Sequence, residues 1–195
     1  MNRQNSKFLN SFSTPIYINY LDENSANNVE EIITPKLSKL EFKGNANTDY
    51  FSDKIISKNE LPELFNFINN ELDYYSKTTT IQKGTAFQYW VQDYKPNHSQ
   101  LFHQHPGSTI SGVYFIRANN AGPIQFKSPN PYMEFTQWNH YSSIDKFGYF
   151  NINPVKGMLL LFPSWLSHQV VPSSNPECIR TSFIFNSLPS FISYD

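Results

Sequence analysis

The sequence predicts a mainly β protein, folded as a sandwich or jelly roll, with two N-terminal helices covering one sheet. Aromatic residues, which favour strands, make up 16% of the chain. Several short apolar runs separated by proline, glycine and asparagine follow residue 80, a pattern typical of these folds. At 195 residues, one domain is expected. It spans residues 1–195, with a strand and helices in 1–77 and the jelly-roll core in 78–188.

The N-terminal part is predicted to hold one strand and two helices. Residues 15–20 alternate apolar and polar side chains, as strands do. Residues 24–37 place apolar side chains at helical spacing, with Asn24 or Ser25 as the N-cap. Asn59 is expected to cap the second helix. That helix carries one apolar stripe that should pack on a sheet: Leu61, Leu64, Phe65, Ile68, Leu72 and Tyr75.

The rest of the chain is predicted to form strands and loops, without a long helix. The strand candidates that precede the C-terminal region are residues 85–94, 110–117, 123–126 and 149–152. The stretch 127–147 is long and irregular and includes His140. Long loops in compact domains often act as lids. A lid and an ordinary crossover connection both remain open.

The C-terminal stretch 157–186 is predicted to form three strands. Proline ends the first two strands, and in the third Arg180 and Ser182 share one face. If the turn near Ser174 makes a hairpin of the last two strands, His168 lies within a residue of Arg180 across the ladder. The two would then be about 5 Å apart. A histidine beside an arginine and a serine could be a metal ligand next to an anion clamp, and a surface histidine beside a solvated arginine is the alternative that this stretch alone leaves open.

Composition excludes several classes of protein. The net charge of −1 argues against long nucleic acids as partners. A single cysteine, Cys178, excludes an intramolecular disulfide and a thiolate zinc cluster. No apolar run approaches 18 residues, and the N-terminus lacks the apolar segment of a signal peptide. We therefore expect a cytoplasmic protein.

Three histidines are candidate metal ligands. In an extended segment His103 and His105 face the same way and could present two imidazoles to one metal. His168 lies 63 residues after His105, which leaves room for the strands of a jelly roll. Residue chemistry alone allows zinc, iron, copper or nickel. Three ligands on one side leave positions open for substrate and dioxygen.

Three segments resemble one known family. They are HPGSTISGVYFIR (105–117), GMLLLFPSWLSHQVVP (157–172) and RTSFIFN (180–186). They look like the iron(II)- and 2-oxoglutarate-dependent oxygenases common in marine bacteria and their phages, within the prolyl-hydroxylase-like superfamily. The specific similarity covers about residues 90–186. If a phage encodes the chain, the expected location is the cytoplasm of the host cell. It implies a double-stranded β-helix, or jelly roll, that holds iron(II) through a His-x-acid or His-x-His pair and a distal histidine.

The resemblance assigns roles to particular residues. His103 and His105 match the proximal pair, and His168 matches the distal ligand. Arg180 and Ser182 match the Arg-x-Ser pattern that binds the far carboxylate of 2-oxoglutarate. A guanidinium fits a carboxylate with two parallel hydrogen bonds. Tyr114 is at the position of a tyrosine that often bonds the same carboxylate in related enzymes; core packing is the alternative.

Other residues are weaker candidates for the site. Asp93 could supply an acidic ligand but lies ten residues before His103. Gln88 or Gln92 could line the cavity by strand parity, and Asn186 shares the face of Arg180. His98 is expected to be a loop residue, and a contact of His140 with substrate is the less favoured interpretation.

These observations predict an iron(II)- and 2-oxoglutarate-dependent dioxygenase that releases succinate and carbon dioxide and hydroxylates an unknown substrate. The superfamily mostly has an acid where His105 stands, so a three-histidine iron dioxygenase that does not use 2-oxoglutarate is one alternative. A non-catalytic jelly-roll binding or phage structural module is the other. The expected partners are dioxygen and a substrate. A homodimer, the commonest association among oligomers, remains open.

Overall fold

The computed structural model describes residues 13–50, 55–131 and 148–189. In these residues the chain forms two α-helices, one 3₁₀ helix and eleven strands. The elements, in chain order, are β1 (Tyr17–Tyr20), α1 (Glu23–Ile33), the 3₁₀ helix (Thr34–Lys39), β2 (Glu41–Phe42), β3 (Asn47–Thr48), α2 (Pro62–Thr79), β4 (Ala86–Tyr94), β5 (Gln100–His103), β6 (Ile110–Asn119), β7 (Ile124–Lys127), β8 (Tyr149–Ile152), β9 (Met158–Pro163), β10 (His168–Val170) and β11 (Ile179–Leu188).

The strands form two antiparallel sheets. The major sheet has the order β1-β9-β6-β11-β4-β3-β2, and the minor sheet has the order β5-β10-β7-β8. The short N-terminal strands lie at the two sides of the major sheet, with β1 next to β9 and β3 next to β4. A cluster of buried side chains from both sheets fills the space between them. The mainly β architecture predicted from the sequence is confirmed.

Both predicted helices are present, but their N-caps differ from the prediction. The cap of α1 is Asp22, whose carboxylate accepts a hydrogen bond from the Ser25 backbone N–H at 3.0 Å. Helix α2 begins at Pro62 after Leu61, which makes no side-chain capping bond. A proline in the first turn lacks an N–H that would need a partner. Within the described ranges, neither helix is long and apolar enough to cross a membrane.

The helices cover one face of the major sheet. The predicted stripe of α2 is buried, and the Phe65 ring meets Phe183 edge-on at 5.6 Å between ring centroids. Tyr114 and Phe185 belong to the same buried cluster. Each fully buried side chain of this size stabilises the fold by about 1.5–3 kcal/mol. The opposite face of the same strands, with Phe115 and Ile184, packs against the minor sheet.

The predicted hairpin between the last two strands is wrong. Strand β10 lies in the minor sheet, where His168 pairs with His103 and Phe126. Strand β11 lies in the major sheet, between β6 and β4. The intervening segment 171–178 crosses from one sheet to the other, and it is bonded along its way by Val171 N–H to Pro123 O and by Asn97 N–H to Ser173 O. His168 and Arg180 are therefore not ladder neighbours.

Candidate metal centre

Three histidines meet between the two sheets. His103 ends β5 and pairs with His168, which begins β10, while His105 follows two residues after His103. The ring centroids are 4.3 Å apart for His103 and His168, 5.1 Å for His103 and His105, and 5.2 Å for His105 and His168. One nitrogen of each ring lies within 4.8 Å of the others, which is close enough for all three to bind one metal ion.

Backbone carbonyls set the tautomers of two of these rings. His103 Nδ1 lies 2.8 Å from Leu101 O, and His168 Nδ1 lies 2.9 Å from Leu166 O. A carbonyl only accepts, so Nδ1 carries the proton and donates in both rings. Their Nε2 atoms are then unprotonated and available to a metal.

The three imidazoles are neutral at physiological pH. Burial, strengthened by the neighbouring His103, lowers the pKa of His105 to about 4 and that of His168 to about 3. Burial also lowers the pKa of His103. Only neutral imidazole ligates a metal, so the folded protein keeps these rings in the binding form.

The third histidine has a side-chain neighbour at Nδ1 instead of a backbone carbonyl. His105 Nδ1 lies 3.3 Å from the amide group of Asn186. The other end of that amide accepts a hydrogen bond from Ser111 Oγ at 2.7 Å, and Ser111 Oγ is 2.8 Å from Ser164 Oγ. Asn186, Ser111 and Ser164 are all buried.

A cavity of about 300 Å³ adjoins the histidines, at the lower end of the range for small-molecule sites. Its apolar wall includes Val113, Ile124 and Ile184, which lie between the sheets. Arg180 lines the same cavity. The fold therefore brings the three histidines and the arginine to one site, although they come from different sheets.

Arg180 is a buried cation without an acidic partner. Its side chain is 2% exposed, and no carboxylate in the described ranges forms an ion pair with it. Nη1 donates to Gly122 O at 3.2 Å, and the guanidinium carbon lies 5.2 Å from the ring centroids of Tyr94 and Phe115. Burial lowers its pKa to about 10, so it stays charged at neutral pH. A buried charge is costly without a counter-charge, which makes this position suited to an anionic ligand.

Of the two residues predicted to help Arg180, Ser182 lies beside it and Tyr114 does not. Ser182 is buried beside it, with its Oγ 3.5 Å from Arg180 Nε, a long contact. Tyr114 lies on the opposite face of β6, within the core beneath the helices, and its hydroxyl has no hydrogen-bond partner in the described part of the chain. The prediction that Tyr114 contacts the cosubstrate does not fit this placement, because the major sheet separates it from the cavity.

Two of the weaker candidates, Asp93 and His98, contact residues other than the three histidines. Asp93 lies in a buried polar network, where it accepts from Thr181 Oγ1 at 2.7 Å and pairs with Arg117 at 3.1 Å. It is therefore unsuited to be the metal ligand. His98 contacts Phe42 at a tilted angle, with 5.3 Å between ring centroids, outside the cluster of histidines. His140, and most of the long loop that contains it, lie outside the described residues.

Sequence reasoning missed part of the cavity. Tyr94 and Gln92 both line it, and the Tyr94 hydroxyl donates to Gln92 Oε1 at 2.7 Å. Strand parity named Gln92, and the same alternation from Trp90 would have reached Tyr94. Lys43 and Asn45 also line the cavity, because the pairing of β3 with β4 brings the β2–β3 hairpin to it. No pattern in the sequence announces that pairing.

Comparisons with known proteins indicate one family. A family model described as "Putative 2OG-Fe(II) oxygenase" matches residues 88–186, half of the chain. That range contains all three histidines and Arg180. No curated protein sequence matches the chain.

Solved structures with low sequence identity share the fold. A prolyl-4-hydroxylase from Pseudomonas putida superimposes with a TM-score of 0.65 at 11% identity, covering 91% of this chain and 94% of that one. A prolyl hydroxylase from Trichoplax adhaerens, in complex with a hypoxia-inducible-factor peptide, gives 0.62 at 14% identity, with coverage of 92% and 84%. An oxidoreductase of the 2OG-Fe(II) oxygenase family from Burkholderia pseudomallei gives 0.59 at 9% identity, with coverage of 90% and 84%. The chain thus has the jelly-roll fold of these enzymes, as the sequence predicted.

Proposed function

The chain belongs to the 2OG-Fe(II) oxygenase family, and from that premise we propose that it is a dioxygenase that hydroxylates an organic substrate at the three-histidine site. Family membership implies iron(II) and 2-oxoglutarate as cofactors, and the three-histidine cluster fits iron binding. The products would be succinate, carbon dioxide and the hydroxylated substrate. A non-catalytic binding or phage structural module is not supported, because the family is one of oxygenases.

The observation that carries the proposal is Arg180. A buried guanidinium without a carboxylate partner in the described residues lines the same cavity as three convergent imidazoles. In this proposal its fork binds the far carboxylate of 2-oxoglutarate by two charge-assisted hydrogen bonds. The contacts of the guanidinium with Gly122 O and with two aromatic rings hold it in place before the ligand arrives.

His103, His105 and His168 would hold the iron through one nitrogen each. When bound, iron(II) supplies the redox chemistry for dioxygen, and 2-oxoglutarate supplies two electrons as it is oxidised and decarboxylated to succinate. The residues bind and orient the reactants. The apolar wall formed by Val113, Ile124 and Ile184 limits access of water to the site.

One observation favours a second candidate function. Three neutral imidazoles leave a bound iron more positive than two imidazoles and a carboxylate would. A three-histidine iron dioxygenase that acts without 2-oxoglutarate is therefore the alternative. Arg180 distinguishes the two, because an enzyme without an anionic cosubstrate has no evident need for a buried cation in this cavity.

An anaerobic titration tests the proposal. Metal-free protein receives iron(II) and then 2-oxoglutarate, while visible absorption is recorded. We expect a weak charge-transfer band only when both are present, since the 2-oxo and carboxylate groups would chelate the iron. Succinate, which lacks the 2-oxo group, is the matched control and should give no band. Tight iron binding without the band would favour the alternative, and absence of iron binding would refute both.

A further inference from the structure

His105 differs from the other two histidines in what holds its ring. His103 and His168 each donate Nδ1–H to a backbone carbonyl two residues earlier. His105 Nδ1 instead faces the side-chain amide of Asn186 at 3.3 Å. A backbone carbonyl can only accept, whereas an amide can present either its oxygen or its nitrogen. The orientation of Asn186 therefore decides the tautomer of His105.

Metal binding requires one of the two orientations. An imidazole that binds a metal through Nε2 carries its proton on Nδ1 and must donate it. Asn186 must then turn Oδ1 towards His105 and Nδ2 towards Ser111. In the structure, Nδ2 faces His105, and Ser111 donates to Oδ1. The two ends of an amide are nearly equal in shape, so a half-turn of the group needs no repacking.

The serines can follow this half-turn. Ser111 Oγ is 2.7 Å from the amide and 2.8 Å from Ser164 Oγ, and either serine can be the donor between them. When Asn186 Nδ2 donates to Ser111, the Ser111 hydroxyl turns its proton to Ser164. Ser111 and Ser164 are at most 1% exposed, so water does not replace these bonds. The chain of hydrogen bonds can thus run in either direction with the same side chains.

We propose that Asn186 is a positioning residue that orients His105 for metal binding by accepting a hydrogen bond from its Nδ1–H, and that Ser111 and Ser164 hold the amide in place. This inference rests on the proposed function, because it needs a metal at the three histidines. Asn186 would accept the Nδ1–H of His105, as backbone carbonyls accept the Nδ1–H of His103 and His168. Acceptors of this kind typically contribute 10–100-fold to metal affinity.

Three variants and one control test this role. Asn186→Leu removes the acceptor at similar volume, and Asn186→Asp supplies a carboxylate that can accept from His105 and from Ser111 together. Ser111→Ala removes the support of the amide. Asn151→Leu is the matched control, because Asn151 accepts from Gln125 at 2.9 Å outside the metal cavity. Each protein is titrated anaerobically with cobalt(II) against a chelator of known affinity, and the visible absorption of bound cobalt is recorded.

We expect Asn186→Leu to bind cobalt about 10–100-fold more weakly than the wild type. Asn186→Asp should bind at least as tightly as the wild type. Its cobalt bands should move to shorter wavelength, since a carboxylate partner makes His105 a stronger donor. Ser111→Ala should show a loss at the lower end of that range, and Asn151→Leu should match the wild type.

Equal affinity of Asn186→Leu and the wild type would overturn the inference, as would an Asn186→Asp variant as weak as Asn186→Leu. If Asn186→Leu does not fold, the Asp variant and Ser111→Ala decide: unchanged affinity in Ser111→Ala and unchanged bands in Asn186→Asp would refute the role. Wild-type protein that binds neither cobalt nor iron would refute the proposed function itself, and the inference with it.

Discussion

Replacement of Arg180 by methionine separates cosubstrate binding from metal binding. The guanidinium is buried, carries no acidic partner in the described residues and lines the cavity beside the histidines. Loss of one partner of a buried, hydrogen-bonded charge pair costs roughly 2–5 kcal/mol. At about 1.4 kcal/mol per decade, 2-oxoglutarate should bind about 30-fold to a few thousand-fold more weakly. Iron affinity should not fall, because Arg180 is not a ligand.

The assay is the anaerobic charge-transfer titration, with 2-oxoglutarate varied at saturating iron(II). Arg117→Met is the matched control, because Arg117 pairs with Asp93 outside the cavity and should leave the 2-oxoglutarate affinity unchanged. The metal-free Arg180→Met protein should unfold in urea with a free energy no more than about 1 kcal/mol below the wild type, since an unpaired buried charge is costly. Equal 2-oxoglutarate affinity in Arg180→Met and the wild type would refute the anion-clamp role.

Three further predictions follow from the site and its surroundings. His168→Ala should abolish tight iron binding, measured by anaerobic titration, whereas His98→Ala should leave it intact; iron retained at full occupancy in His168→Ala would remove this residue from the ligand set. Without a metal, the histidines of the unfolded chain titrate near their ordinary pKa of 6.5. In the folded protein the pKa of buried His105 is about 4 and that of His168 is about 3. The free energy of unfolding should therefore be level above about pH 7. This free energy should fall as the pH drops from 6.5 towards 4, by up to about 1.4 kcal/mol per pH unit for each histidine. Urea titrations at several pH values measure it. A flat profile would contradict the burial of these neutral rings. Tyr114→Phe removes a buried hydroxyl without a described partner, so it should leave stability unchanged or raise it by about 1 kcal/mol and leave 2-oxoglutarate affinity unchanged. Weaker cosubstrate binding in that variant would restore the role that the sequence suggested for Tyr114.

Local periodicity predicted much of the fold. The two-residue alternation of β11 correctly placed Arg180, Ser182, Ile184 and Asn186 on one face, because successive side chains of any strand point to opposite sides. The apolar stripe of α2 was equally readable, since helix geometry alone brings those residues to one side. The three histidines were recognisable as a set because only a few types of side chain bind metal ions, and histidine is one of them.

The alternation of side chains along a strand does not show which of its two faces packs against the helices and which packs against the minor sheet. On β6, Tyr114 and Phe115 point to opposite sides, and only the packing of α2 on one face and the minor sheet on the other decides which side meets the cavity. For this reason the position of Tyr114 does not fit the role that the sequence suggested for it. Tyr94, which shares the alternation of Gln92, fills the place beside Arg180 instead.

The sequence by itself determined both α-helices, most of the strands and the residues with the chemistry of an iron site, because these properties depend on near neighbours along the chain. The tertiary structure decided which strands pair. Residues 171–178 cross between the sheets, so His168 pairs with His103 and not with the strand of Arg180. It also brought Asn186, 81 residues after His105, to the Nδ1 atom of that histidine. Strand pairing depends on contacts between distant segments, and only the packing of the two sheets selects among them.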